Sequence, residues 1–175
     1  MNVIIHISDL HVNLYLDEDE VPRTEINSYL TTNLSTDDSF FFIDTFIKKI
    51  EDVKALQFPD AEFILLITGD ITNSGEELEF KSAKSFIKKI MTKLNISKEK
   101  CLLIPGDHDV NRRSLKNYLI DNPDKNSHLL NKVKLNYFGK FYKDLKGNEF
   151  EFDKIIFDHL IIDNQVVILA KNSNY

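Results

Sequence analysis

The chain opens on Val3-Ile4-Ile5-His6-Ile7-Ser8-Asp9-Leu10-His11, a short β-branched apolar run that ends abruptly on a carboxylate and an imidazole. Residues 3–7 lack the polar alternation of a half-exposed strand and read as a central strand covered on both faces. The same pattern recurs twice. Glu62–Thr68 is apolar and ends on Gly69-Asp70, and Cys101–Ile104 is apolar and leads through Pro105 into Gly106-Asp107-His108-Asp109. Between the first two runs, Ile43, Phe46, Ile47, Ile50, Val53 and Leu56 keep the 3-4 spacing of an amphipathic helix, which Pro59 stops. Between the second and third, Ser74-Gly75-Glu76-Glu77 reads as an S-x-x-E capping box before Leu78, Phe80, Ala83, Phe86, Ile87, Ile90, Met91 and Leu94. The order is βαβαβ, and each helix is long enough for a right-handed crossover between parallel strands. A layered α/β domain with central parallel strands follows.

At 175 residues the chain holds one domain's worth of core, taking roughly 150 residues per domain. A hydrophobic fraction of 42% and a charged fraction of 29% exclude disorder, collagen and coiled coil as descriptions of the whole. No apolar run approaches the roughly 18 to 20 residues that cross a bilayer, and no basic leader precedes residue 3, so a cytoplasmic protein without a membrane partner is expected. The single cysteine, Cys101, sits among Leu102-Leu103-Ile104 as a small buried hydrophobe of a reducing compartment. A net charge of -6 leaves no footprint for phosphate-backbone binding and makes nucleic acid a less favoured partner. Metal ions can still invert the local charge of an acidic site toward an anionic substrate.

Residues 13–39 are polar and irregular and read as a long loop or insertion, with Asp17-Glu18-Asp19-Glu20 as a solvated face. Beyond Asn111 the pattern is weaker and gives a short helix over 114–119, a longer one over 129–145, and two strands over 150–157 and 165–170, for which antiparallel pairing is one option. The sequence ends at Tyr175 directly after a strand. Residues 1–175 are therefore expected to be the N-terminal part of one domain, with a downstream domain plausible.

Three parallel strands that end on Asp9-Leu10-His11, Gly69-Asp70 and Gly106-Asp107-His108-Asp109 bring distant residues to one place, because ligands of open α/β sheets bind at the carboxyl ends of adjacent strands. Carboxylates and imidazoles are the hard and borderline donors that divalent Mn, Fe, Zn or Mg require. Gly69 and Gly106 allow sharp turns there. His6, inside the first strand, reads as a packed, hydrogen-bonded histidine; His128 and His159 read as structural or surface residues, Asn73 as a turn residue with contact to the site as the alternative, and Phe40-Phe41-Phe42 as packing. Arg112 and Arg113 read as helix-surface cations or as a clamp for phosphate.

The D-x-H, GD and G-[N/D]-H-D series, in that order over residues 3–111, resembles the calcineurin-like metallophosphoesterase family and is most similar to its cyclic-nucleotide phosphodiesterase-like branch. The resemblance implies two divalent ions, Mn, Fe or Zn. It places Asp9 and His11 on the first ion, Asp70 between both, and Asp107 on the second, where the family usually has Asn. His108 is implied as the proton donor to the leaving group or the stabiliser of the phosphoryl oxygens. Asp109 fits a group that orients a neighbouring ligand, with a helix N-cap as the alternative, and Arg112 is the candidate for phosphate. The implied activity is two-metal hydrolysis of a phosphomonoester or phosphodiester, a nucleotide among the candidate substrates. A nuclease of the same superfamily and a non-catalytic interaction module are the alternatives. The family's later lone-His and G-H-x-H motifs have no counterpart in this sequence, so the fragment alone is open to being inactive.

Overall fold

A computed structural model describes residues 1–16, 22–26, 38–122 and 127–171. In chain order the elements are β1 (Asn2–Ile7), β2 (Val12–Leu16), β3 (Pro22–Ile26), α1 (Asp38–Gln57), β4 (Glu62–Thr68), α2 (Glu77–Lys93), β5 (Cys101–Ile104), α3 (Arg112–Asp121), α4 (Ser127–Lys134), α5 (Asn136–Lys146), β6 (Ile156–Ile162) and β7 (Val166–Lys171). Strands β1, β4 and β5 form a parallel sheet in the order β1-β4-β5, with Ile5 opposite Leu65 and Leu65 opposite Cys101.

The alternation of a strand sorts the sheet into two faces. Ile5, Ile7, Phe63, Leu65, Ile67, Cys101 and Leu103 face a core shared with Ile47 of α1, with Phe80, Ala83, Phe86, Ile87 and Ile90 of α2, and with Phe138, Phe141, Tyr142 and Leu145 of α5. On the opposite face Ile64 and Leu102 meet Leu160 and Ala170 of the antiparallel β6-β7 hairpin. Helices, sheet and hairpin thus make three layers. The buried Phe138, Tyr142 and Phe150 and the half-buried Phe157 of β6, with centroids 4.9 to 6.3 Å apart, tie α5 to the hairpin and the segment leading into it. Each such side chain contributes about 1.5 to 3 kcal/mol through burial.

Several expectations are corrected. Among the described residues β1 lies at the side of the sheet and β4 in its middle; Ile4 is 46% exposed and His6 is exposed, bonded through Nε2 to Thr68 Oγ1 at 2.6 Å. Apolar content on both faces of β1 therefore did not imply cover on both. Within 13–39 the polar stretch contains the β2-β3 hairpin, whose hydrogen-bonded register tolerates polar residues, and the first turn of α1. Its acidic run 17–20 lies outside the described residues, as do the side chains of Phe40-Phe41-Phe42 and His128. Val53 and Leu56 are exposed, so the buried stripe of α1 is shorter than its periodicity. The expected helix over 129–145 breaks at Leu135 into α4 and α5, and Phe150 and Phe152 pack as aromatics before β6 begins at Ile156. At the start of α2 the cap shifts by two residues: Glu79, fully buried, accepts from Ser74 N, Ser74 Oγ and Glu76 N. With Glu76 as the N-cap, Glu79 is the third residue of the helix and makes the reach back that the S-x-x-E reading assigned to Glu77.

Candidate metal centre

Three strand ends converge where β1, β4 and β5 give out, and the backbone there is locked by cross-strand bonds. Asp9 N donates to Gly69 O at 3.2 Å, His11 N to Asp70 O at 2.9 Å, and Val12 N to Ile71 O at 3.0 Å. Three non-glycine residues in this stretch, Asp9, His11 and Asp70, have φ of 56°, 44° and 49°. Left-handed backbone at such residues costs of order 1 to 3 kcal/mol each and persists only where the surroundings enforce it. It turns successive side chains to one side of the sheet end.

The two glycines make the approach possible. A Cβ on Gly69, whose φ is +95°, would lie 2.8 Å from Gly106 Cα and N, and a Cβ on Gly106 would run into the Asp70 carboxylate. Strands β4 and β5 therefore leave the sheet in contact, and His108 N donates to Asp70 Oδ1 at 3.2 Å.

Asp109 braces this contact. Fully buried, it accepts from Gly106 N at 2.8 Å, Thr72 N at 2.9 Å, Thr72 Oγ1 at 2.9 Å and Ile71 N at 3.3 Å, so one carboxylate fastens the end of β5 to that of β4. Burial outweighs these hydrogen bonds and pushes its pKa up to about 6. The cap of α3 is Asn111 instead, through Ser114 N at 2.7 Å.

Two groups of donors result. Ligand atoms of Asp9, His11 and Asp70 lie within 4.8 Å of one another, as do those of Asp70, Asp107 and His108, and Asp70 is common to both. The His11 and His108 rings meet edge to face with centroids 4.7 Å apart. His108 Nδ1 is 2.8 Å from Asn73 O. A carbonyl only accepts, so the proton is on Nδ1 and Nε2 is the nitrogen left for the site. Each group offers one imidazole and two carboxylates, a donor set that fits a divalent cation. Arg112 lies at the surface, 73% exposed, and its Nη2 donates to Asp107 Oδ2 at 3.2 Å. His159 joins neither group among the described residues.

The sequence reading missed the carbonyl of Asn73, which holds His108, and Thr72, whose hydroxyl donates to Asp109 and accepts from Gly75 N. Backbone carbonyls leave no residue-type signature; Thr72, two residues past Asp70 in a strand-end turn, was the one legible clue.

A parallel α/β sheet whose strand ends carry two adjoining carboxylate and imidazole groups is the arrangement of a candidate divalent-metal site. The calcineurin-like phosphoesterase family model matches residues 3–170, and the chain belongs to that family of metal-dependent phosphate-ester hydrolases. It is also similar to an uncharacterized metallophosphoesterase-like protein, YydB, of Bacillus subtilis (strain 168), at 26% identity over 123 residues. That match covers 63% of this chain and 25% of the relative, so the chain spans well under two thirds of the relative's length. Among the described residues no helix is long and apolar enough to cross a membrane.

Proposed function

We propose that the chain carries the first part of a two-metal phosphoesterase site acting on a phosphomonoester or phosphodiester, a nucleotide among its candidate substrates. The observation that carries the reading is the sharing of Asp70 between two three-residue donor groups. Asp9, His11 and Asp70 would hold one divalent ion, and Asp70 and Asp107 a second. Ions so held supply Lewis-acid polarisation of a phosphoryl oxygen and activation of water.

The chain's own residues do the remaining work. Asp109 keeps the ends of β4 and β5 together, and so fixes Asp70 relative to Asp107 and His108. Asn73 O orients the His108 ring and leaves Nε2 toward the site, where in its protonated form it gives a proton to the leaving oxygen or holds a phosphoryl oxygen. The acidic net charge favours a small phosphate ester over a nucleic-acid backbone.

The test is hydrolysis of bis(p-nitrophenyl) phosphate with added Mn²⁺ by the wild-type chain, Asp70→Asn and His108→Gln. The expected result is metal-dependent turnover that Asp70→Asn abolishes and His108→Gln slows by about 10² to 10⁴-fold. Turnover that persists in Asp70→Asn contradicts the reading.

A further inference from the structure

Asp107 and Arg112 stand in an unusual relation for two residues of one site. Arg112 Nη2 donates to Asp107 Oδ2 at 3.2 Å, and the two side chains are 73% and 64% exposed. The base of Arg112 is nevertheless fixed. Asn111, 1% exposed, donates through Nδ2 to Gly75 O at 3.0 Å and accepts from Ser114 N, which pins the first turn of α3 beside the strand ends. A cation with an anchored root and a solvated head can change partner without moving the helix.

The chemistry of the two partners orders the exchange. An exposed guanidinium-carboxylate pair is weak and screened by salt. A divalent ion drawn by Asp70 and Asp107 together offers Asp107 a stronger partner. Once released, a guanidinium presents a planar fork that matches two phosphoryl oxygens. Resting on the metal reading above, we propose that Asp107 and Arg112 form an exchange pair: without an ion Arg112 holds the Asp107 carboxylate, and when an ion takes Asp107, Arg112 is handed to the phosphoryl group of the substrate. The carboxylate at this position then serves twice, as ligand and as the holding place of the substrate's clamp.

Isothermal titration with Mn²⁺, followed by inorganic phosphate on the Mn²⁺-loaded chain, tests this on the wild type, Arg112→Gln, Asp107→Asn and the double variant. Arg112→Gln is expected to tighten Mn²⁺ binding by about two- to fivefold, the worth of an exposed ion pair, and to weaken phosphate binding by about tenfold or more. In the Asp107→Asn background the same substitution is expected to leave Mn²⁺ affinity unchanged. An unchanged Mn²⁺ affinity in Arg112→Gln, or an equal shift in both backgrounds, overturns the exchange while the metal reading stands. A wild-type chain that takes up no Mn²⁺ overturns both.

Discussion

At the start of β5, Lys146 is 7% exposed and gives its ammonium to Asp158 Oδ2 at 3.0 Å, to Lys98 O at 3.0 Å and to Cys101 O at 2.5 Å, while Tyr142 Oη donates to the same Asp158 oxygen. At the end of the same strand Asp107 is 64% exposed, and Asp9 at the end of β1 is 65% exposed. One end of the sheet buries a charged pair and surrounds it with partners; the other holds Asp9 and Asp107 in water on a frame braced by the buried Asp109. A buried and satisfied pair fixes the hairpin and α5 to β5. Exposed carboxylates on a braced frame stay available to a ligand. The difference is one of placement, since both ends use Asp beside a basic group.

Four substitutions sharpen or break that comparison. The largest effect is expected from Lys146→Met, which keeps the apolar stem but leaves Asp158 without its cation. Urea unfolding should show a loss of about 3 to 5 kcal/mol with Mn²⁺ affinity unchanged. A loss under 1 kcal/mol would mean that this end is no more a fastening than the other.

Next comes Asp109, whose pKa is raised to about 6 by burial. A carboxyl whose folded pKa exceeds its unfolded value contributes stability that is fully present below the unfolded value near 4 and is lost as pH rises through 6. The wild type is therefore expected to lose on the order of 3 kcal/mol relative to Asp109→Asn between pH 4 and 7. A pH-independent difference between the two proteins would show that the hydrogen bonds, not burial, set the carboxyl's state.

Gly69→Ala is expected to cost about 1 to 3 kcal/mol, since it combines a φ of +95° with a Cβ 2.8 Å from Gly106. A thermal shift indistinguishable from wild type would show that the strand ends part freely. Asp70→Asn should have the smallest effect on the fold, under about 1 kcal/mol, because an amide oxygen still accepts from His108 N and Asn tolerates left-handed backbone. A larger destabilisation would move Asp70 from the ligand end of the comparison to the structural end.

The parts of the molecule that were legible follow the same division. Glu62–Thr68 and Cys101–Ile104 match their strands residue for residue, because continuous apolar runs closed by Gly69 and by Pro105-Gly106 carry both type and limit. Together with the end of β1, their ends bring Asp9, His11, Asp70, Asp107 and His108 to one region. What the sequence did not carry is what depends on tertiary context. The open face of β1 is set by which element packs there, the cap at Glu79 by a buried side chain reaching back, and the Arg112 pairing by the anchor at Asn111. The left-handed φ of Asp9, His11 and Asp70 is imposed by cross-strand bonds that no local propensity encodes.

The central claim, that Asp70 joins two metal-binding groups, is tested most directly by elemental mass spectrometry of the chain after incubation with Mn²⁺ and desalting. The expected result is about two ions per wild-type chain, the number a two-metal site needs, and almost none in Asp70→Asn with its fold intact by circular dichroism. Equal metal content in the two proteins, or none in the wild type, would contradict it.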